Sequence, residues 1–119
     1  MRYLISKTLM RYKQAILDSI FERLNKNDCI IFLFGTFAEG DTVRSSDIDI
    51  GILGRDKISD RDFVMLQEEL NTNVPTLRKI DLVDFSNVDR KVREEALKEM
   101  EIWHIGKNCR ELLKNLKQV

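Results

Sequence analysis

Cys29-Ile30-Ile31-Phe32-Leu33-Phe34 is a continuous apolar run of strand length, stopped by Gly35. A strand without a polar residue on either side needs cover on both faces, which makes it the centre of a sheet rather than its edge. The flanking segments offer that cover. From about Thr8 to Lys26, the residues Leu9, Tyr12, Ile16, Ile20, Phe21 and Leu24 recur at helical spacing, so an amphipathic helix precedes the strand. Residues 36–46 mix small and polar types and are expected to form a loop with one short helix. Asp47 to Leu53 is a second strand, with Ile48, Ile50 and Ile52 on one face and Asp47, Asp49 and Gly51 on the other.

Ser59 caps the next expected helix, with Asp60 and Asp62 in its first turn and Phe63, Leu66 and Leu70 as its apolar stripe. Asn71 to Pro75 reads as a turn, with Pro75 a turn residue before the third strand. That strand runs from Lys79 to Phe85, with Ile80 and Leu82 on one side, Asp81, Val83 and Phe85 on the other, and Asp84 assigned to the first. Val88, Val92, Ala96 and Met100 mark a further helix. Glu101 to Ile105 fits helix or strand, and Cys109, Leu112, Leu113 and Leu116 form a last helical stripe. The order predicts an α/β (α+β) fold, a small mixed β-sheet backed by helices. One domain over residues 1–119 is expected, with its core at about 8–100 and a helical tail at about 101–119.

Composition narrows the classes of partner. A hydrophobic fraction of 43% is ordinary for a soluble globular chain, and no apolar run approaches membrane-spanning length. The first residues lack the apolar stretch and cleavage site of a signal peptide, so the expected location is cytoplasmic. Twenty basic residues balance twenty acidic ones without an evident stripe, which disfavours nucleic acid as a partner. Cys29 and Cys109 are expected to be reduced, buried thiols, and neither they nor His104 has zinc-ligand spacing. Trp103 and His104 are read as packing residues, and the run from Arg90 to Glu95 as a solvated helix face.

Chemistry concentrates in three places. Asp47 and Asp49 leave the same strand face with Cα atoms roughly 6.5 Å apart. Two such carboxylates repel and lose hydration unless something compensates them, and a hard cation such as Mg²⁺ does so. Taken alone, such a pair is more simply the polar face of an edge strand, but Gly51 on the same face is expected to leave room for an approaching group. Gly35-Thr36, directly after the apolar strand, offers a tight turn, free backbone N–H groups and a hydroxyl to a phosphate. Asp81, between Ile80 and Leu82, needs a partner. Either it pairs with Arg78 or Lys79, or, if its strand neighbours the second, it joins Asp47 and Asp49 around metal.

The segments Phe34-Gly35-Thr36-Phe37-Ala38-Glu39-Gly40-Asp41 and Ser46-Asp47-Ile48-Asp49-Ile50 resemble the signature of the polymerase-β-like nucleotidyltransferases. That signature is Gly-Ser, about ten residues, then Asp-x-Asp, with a third carboxylate on a later strand. Arg78 to Asp84 is similar to the third-carboxylate strand of the minimal nucleotidyltransferases, the small prokaryotic branch. The resemblance implies that Asp47, Asp49 and Asp81 hold two Mg²⁺ ions and that Gly35 and Thr36 hold the triphosphate of an incoming nucleotide. It also implies that Asp81 helps to deprotonate the attacking hydroxyl. The implied reaction is transfer of AMP from ATP to a hydroxyl. Since the chain lacks a helical substrate domain of its own, the implied partner is a HEPN-type helical protein, with this chain as the antitoxin of a toxin–antitoxin pair. Two alternatives stay open: a binding module that neutralises its partner by contact, and a small-molecule transferase of the aminoglycoside type. Thr36 keeps the hydroxyl of the usual Ser. Glu39 stands where the family often has Arg or Lys, so another cation, Arg44 or Arg55, is expected to offset phosphate charge.

Overall fold

The computed structural model of the chain describes residues 2–35, 47–76, 78–98 and 100–117, with side chains from residue 12 to residue 114 within those ranges. Thr36, Glu39 and Arg44, and the short helix expected within 36–46, lie outside the described residues.

The apolar run forms β1 (Cys29–Phe34), and its burial is what the sequence requires: Ile30, Ile31 and Phe32 are fully buried and Leu33 nearly so. Four strands make one sheet in the order β3-β2-β1-β4. β2 (Ile48–Gly54) pairs antiparallel with β1, Phe34 facing Asp49 at one end and Cys29 facing Gly54 at the other. β3 (Ile80–Asp84) lies parallel to β2 on its far side, with Asp49 in register with Asp81. A parallel neighbour needs a crossover. Here it is α2 (Asp60–Asn73), capped by the Ser59 hydroxyl, which accepts from the Asp62 N–H at 3.1 Å.

β4 (Glu101–Ile105), the segment compatible with either helix or strand, pairs antiparallel with the other side of β1. Its residues are half-buried or exposed, which suits an edge strand and removes the strong apolar signal that betrays a central one. Trp103 and His104 do pack here: Trp103 lies against the first core cluster and His104 meets the Phe21 ring edge-on at 4.7 Å.

Each sheet face has its own core. Ile31, Leu33, Ile48, Ile50, Ile52, Ile80 and Leu82 pack under α2 and α1 (Arg2–Phe21), from which Ile16, Ile20, Leu66 and Leu70 descend with no exposure. Ile30, Phe32, Leu53 and Phe85 point the other way, beneath α3 (Arg90–Lys98) and α4 (Arg110–Lys117), which contribute Ala96, Leu112 and Leu113. Among the described residues no helix is long and apolar enough to cross a membrane.

Several details differ from expectation. α2 continues to Asn73, into the segment Asn71 to Pro75 expected as a turn, and residues 101–105 extend the sheet instead of starting a helical tail outside the core. α1 starts before Thr8 and ends at Phe21 rather than Lys26; Leu24 still packs on the core from the following turn, so apolar spacing outlasts the helix. Asp84, the last residue of β3, is tied up locally, accepting hydrogen bonds from the Ser86 N–H and hydroxyl at 3.0 and 2.7 Å. Gly51 gives no room for a ligand: a Cβ there would lie 2.2 Å from the Phe32 ring, which occupies the space. The α3 surface is not wholly solvated, since the half-buried Arg93 donates through Nη2 to the Phe85 carbonyl at 3.0 Å.

The outer edge of β3 is closed by side chains of α2. Gln67 donates to the Ile80 carbonyl at 2.5 Å and accepts from the Leu82 N–H at 2.8 Å. Asn71, one turn on, donates to the same carbonyl and accepts from the Ile80 N–H, both at 2.8 Å. The two amides thus act as a substitute strand, satisfying edge groups that would otherwise be left unpaired beneath the helix. Gln67→Leu removes one donor and one acceptor from a half-buried setting and is expected to cost about 1–3 kcal/mol in urea unfolding. Glu68→Ala on the exposed side of the same helix should stay within about 0.5 kcal/mol of wild type.

Candidate functional site

Side-chain alternation and strand register together decide which carboxylates meet. Asp49 leaves β2 on the face opposite Ile48 and Ile50, and Asp81 leaves β3 on the face opposite Ile80 and Leu82. Parallel register then sets them side by side. Asp47, just before β2, is exposed, and its charge acts on Asp49 as well. The structure therefore brings all three predicted acidic residues to one end of the sheet.

Gly35 completes the corner from the third side. It adopts φ +76°, the left-handed region that glycine enters without penalty, and a Cβ at this position would fall 2.2 Å from Oδ2 of Asp49. Gly35 thus lies directly against the Asp49 carboxylate, and only a residue without a side chain permits this approach. Behind it lies an aromatic wall. Phe34 meets Phe85 edge-on at 5.1 Å, and Phe32 meets Phe85 at 4.6 Å.

Half-burial takes water from Asp49 and is the largest cause of its shifted ionisation; the charges of Asp81 and then Asp47 push the same way. Together they raise its pKa from 3.8 to about 6. The donor set is hard oxygen with excess negative charge, the composition that suits Mg²⁺. Among the described residues, however, no three His, Cys, Asp or Glu side chains are gathered closely enough to hold a metal ion as they stand. A cation bound here would itself have to draw the carboxylates together.

Beside Gly35 opens a groove of about 330 Å³ lined by Phe34, Gly35, Lys91, Val92, Glu95 and Ala96. Its floor is apolar and Lys91 is its one described cation. The groove escaped the sequence reading because Lys91 and Glu95 look like any exposed helix residues; only the packing of α3 against β1 reveals that they face the corner. Arg55, by contrast, is removed from consideration. It follows Gly54, which pairs with Cys29 at the far end of β1, and its guanidinium lies 3.9 Å from Asp28. The cysteines are also remote from this chemistry: both are buried and free, and burial pushes the Cys29 thiol up to about 12.

A protein-family model described as "Polymerase beta, Nucleotidyltransferase" matches residues 17–104. No curated protein matches the chain. Among solved structures, a toxin–antitoxin crystallised with AMP-PNP superposes with a TM-score of 0.71 at 20% identity, over 89% of this chain and 84% of that one. A tri-AMPylated HEPN toxin in complex with an MNT antitoxin, from Shewanella oneidensis, gives 0.65 at 18% identity, over 99% and 85%. The toxin–antitoxin MntA-HepT gives 0.65 at 18% identity, over 90% and 82%. At these identities the superpositions speak for the fold, a polymerase-β-like nucleotidyltransferase fold as the sequence predicts.

The raised pKa of Asp49 carries a signed consequence for the metal-free protein. A carboxyl that holds its proton more tightly when folded adds stability below about pH 4, and that contribution is lost as pH rises through about 6. In chelator at pH 7, Asp49→Asn is expected to be more stable than wild type by on the order of 1–2 kcal/mol, a figure reduced for partial solvation. The advantage should shrink toward pH 4. Parallel stability–pH curves for the two proteins would show that Asp49 is not under this stress.

Proposed function

The chain belongs to the polymerase β nucleotidyltransferase family, and on that premise we propose that it transfers a nucleoside monophosphate, AMP from ATP, to a hydroxyl on a partner protein. The observation that carries the proposal is the register of Asp49 with Asp81 beside a glycine turn that touches Asp49. Asp47, Asp49 and Asp81 are the residues that would hold divalent metal, Mg²⁺ in two sites. When bound, such ions neutralise phosphate and stabilise both the attacking and the leaving oxygen of an in-line displacement.

The rest falls to the chain's own groups. The Gly35 turn presents backbone to the triphosphate, with Thr36 supplying a hydroxyl. Lys91, in the adjoining groove, provides the positive charge that Glu39 does not. The acceptor oxygen bonds to the α-phosphorus as the bond to pyrophosphate breaks, and its proton passes to Asp81 and on to solvent. The Phe34–Phe85 wall limits water on one side of the corner and so disfavours hydrolysis.

The acceptor is proposed to be a HEPN-type helical protein, with this chain acting as its antitoxin in the cytoplasm. Support comes from the fold shared with antitoxin complexes, one holding AMP-PNP and another a tri-AMPylated toxin. A second mode, neutralisation by contact with a weak site, is favoured by one observation: the carboxylates are not gathered into a ready metal site.

Incubation with α-labelled ATP, Mg²⁺ and the HEPN-type partner separates the two. Transfer predicts label bound covalently to the partner, abolished in Asp49→Asn while the fold survives. Full labelling by Asp49→Asn would sink the metal assignment, and no labelling by wild type would leave contact alone. In the same assay Lys91→Ala is expected to raise the KM for ATP about tenfold, the scale of one charge-assisted phosphate contact, with a smaller effect on kcat. Lys91→Arg should recover most of it.

A further inference from the structure

At the opposite end of the sheet from the carboxylates, a groove of about 570 Å³ opens between the end of β4 and α4. Ile105 at its floor faces Ile30, four residues before the Phe34–Asp49 pair, which places it roughly 13 Å along β1 from the catalytic corner. Four cations line it: Lys26, Lys107, Arg110 and Lys114, all exposed. Lys114 pairs with Glu111 at 3.7 Å, but Lys26, Lys107 and Arg110 make no ion pair among the described residues. The nearby Asp28 is occupied by Asn108 at 2.7 Å and by Arg55. In a chain whose charges sum to zero, Lys26, Lys107 and Arg110 are a local positive excess without an ion-pair partner among the described residues.

Between the cations lie an apolar strip of Leu113 and Ile105, one of the few large hydrophobic residues left exposed (40%), and the polar Asn27 and His104. A basic rim around an apolar floor is complementary to an amphipathic acidic polypeptide, whose carboxylates meet the rim as its aliphatic side chains meet the floor. Single-stranded nucleic acid would instead call for a succession of aromatic faces on which bases stack, and among the described residues the groove has one aromatic ring, that of His104, whose Nε2 is held by the Lys26 carbonyl at 2.6 Å. We propose that this groove docks an acidic, amphipathic segment of a partner protein. Its distance from Asp49 makes it a second point of attachment, separate from the acceptor hydroxyl, so its failure would leave the transfer chemistry untouched.

Fluorescence anisotropy with a labelled glutamate- and leucine-rich peptide tests this. Wild type should bind saturably, and affinity should fall at least about tenfold when Lys107→Glu is combined with Arg110→Glu. Ile105→Asp should weaken it about fivefold or more through loss of the apolar floor. Thermal melts confirm that these exposed substitutions leave the fold in place, and Lys26→Glu with Lys114→Glu repeats the test on the other residues of the rim. Absence of saturable binding, or equal binding by the charge-reversed proteins, would overturn the proposal. Tighter binding of uridine-rich single-stranded RNA than of the peptide would overturn it too, assigning the groove to phosphates.

Discussion

Asp49 and Asp81 stand side by side on neighbouring parallel strands, two like charges that the fold holds together against their repulsion. Most of the architecture can be understood as what maintains that pairing. The isoleucines alternating with Asp49 are buried without exposure on the opposite face, so β2 cannot rotate its carboxylate away without bringing Ile48 and Ile50 to water. Each such side chain is worth roughly 1.5–3 kcal/mol of burial, more than a half-solvated carboxylate gains by escaping. On the β3 side the amides of Gln67 and Asn71 grip the strand at Ile80 and Leu82, the residues on either side of Asp81. Core and edge thus fix the two charges independently.

The same corner explains where glycine is needed and where it is not available to a ligand. Gly35 is required twice over, by its positive φ and by the contact with the Asp49 carboxylate. Gly51 sits on the same face of the same strand as Asp49, yet its missing side chain accommodates Phe32. At the strand end, burial of Asp49 and the charges of Asp81 and Asp47 raise its pKa.

Much of this was legible in the sequence because it depends on period-two alternation. The doubly buried β1, the inward isoleucines of β2 and the shared face of Asp47, Asp49 and Asp81 all follow from which residues alternate, and the Ser59 cap from local chemistry. The parallel register of β2 with β3 is not legible in this way, since alternation says which face a residue takes and nothing about its neighbour across the sheet. β4 was ambiguous because an edge strand tolerates Glu and His. The roles of Gln67 and Asn71 depend on how α2 crosses β3, and the placement of Lys91 on how α3 meets β1, neither of which leaves a mark in spacing. Sequence offers Arg55 as a phosphate cation without placing it, and the antiparallel pairing of β1 with β2 carries the residue after β2 to the far end of β1.

The central claim is that these carboxylates form a cation site that nucleotide completes. Paramagnetic Mn²⁺, followed by electron paramagnetic resonance in the presence of a non-hydrolysable ATP analogue, measures it without requiring an acceptor or turnover. Wild type should bind Mn²⁺ saturably and more tightly with nucleotide than without, and Asp81→Asn should weaken that binding by about tenfold or more while retaining the fold. Equal Mn²⁺ affinity in wild type and Asp81→Asn, in the presence of nucleotide, would contradict the account.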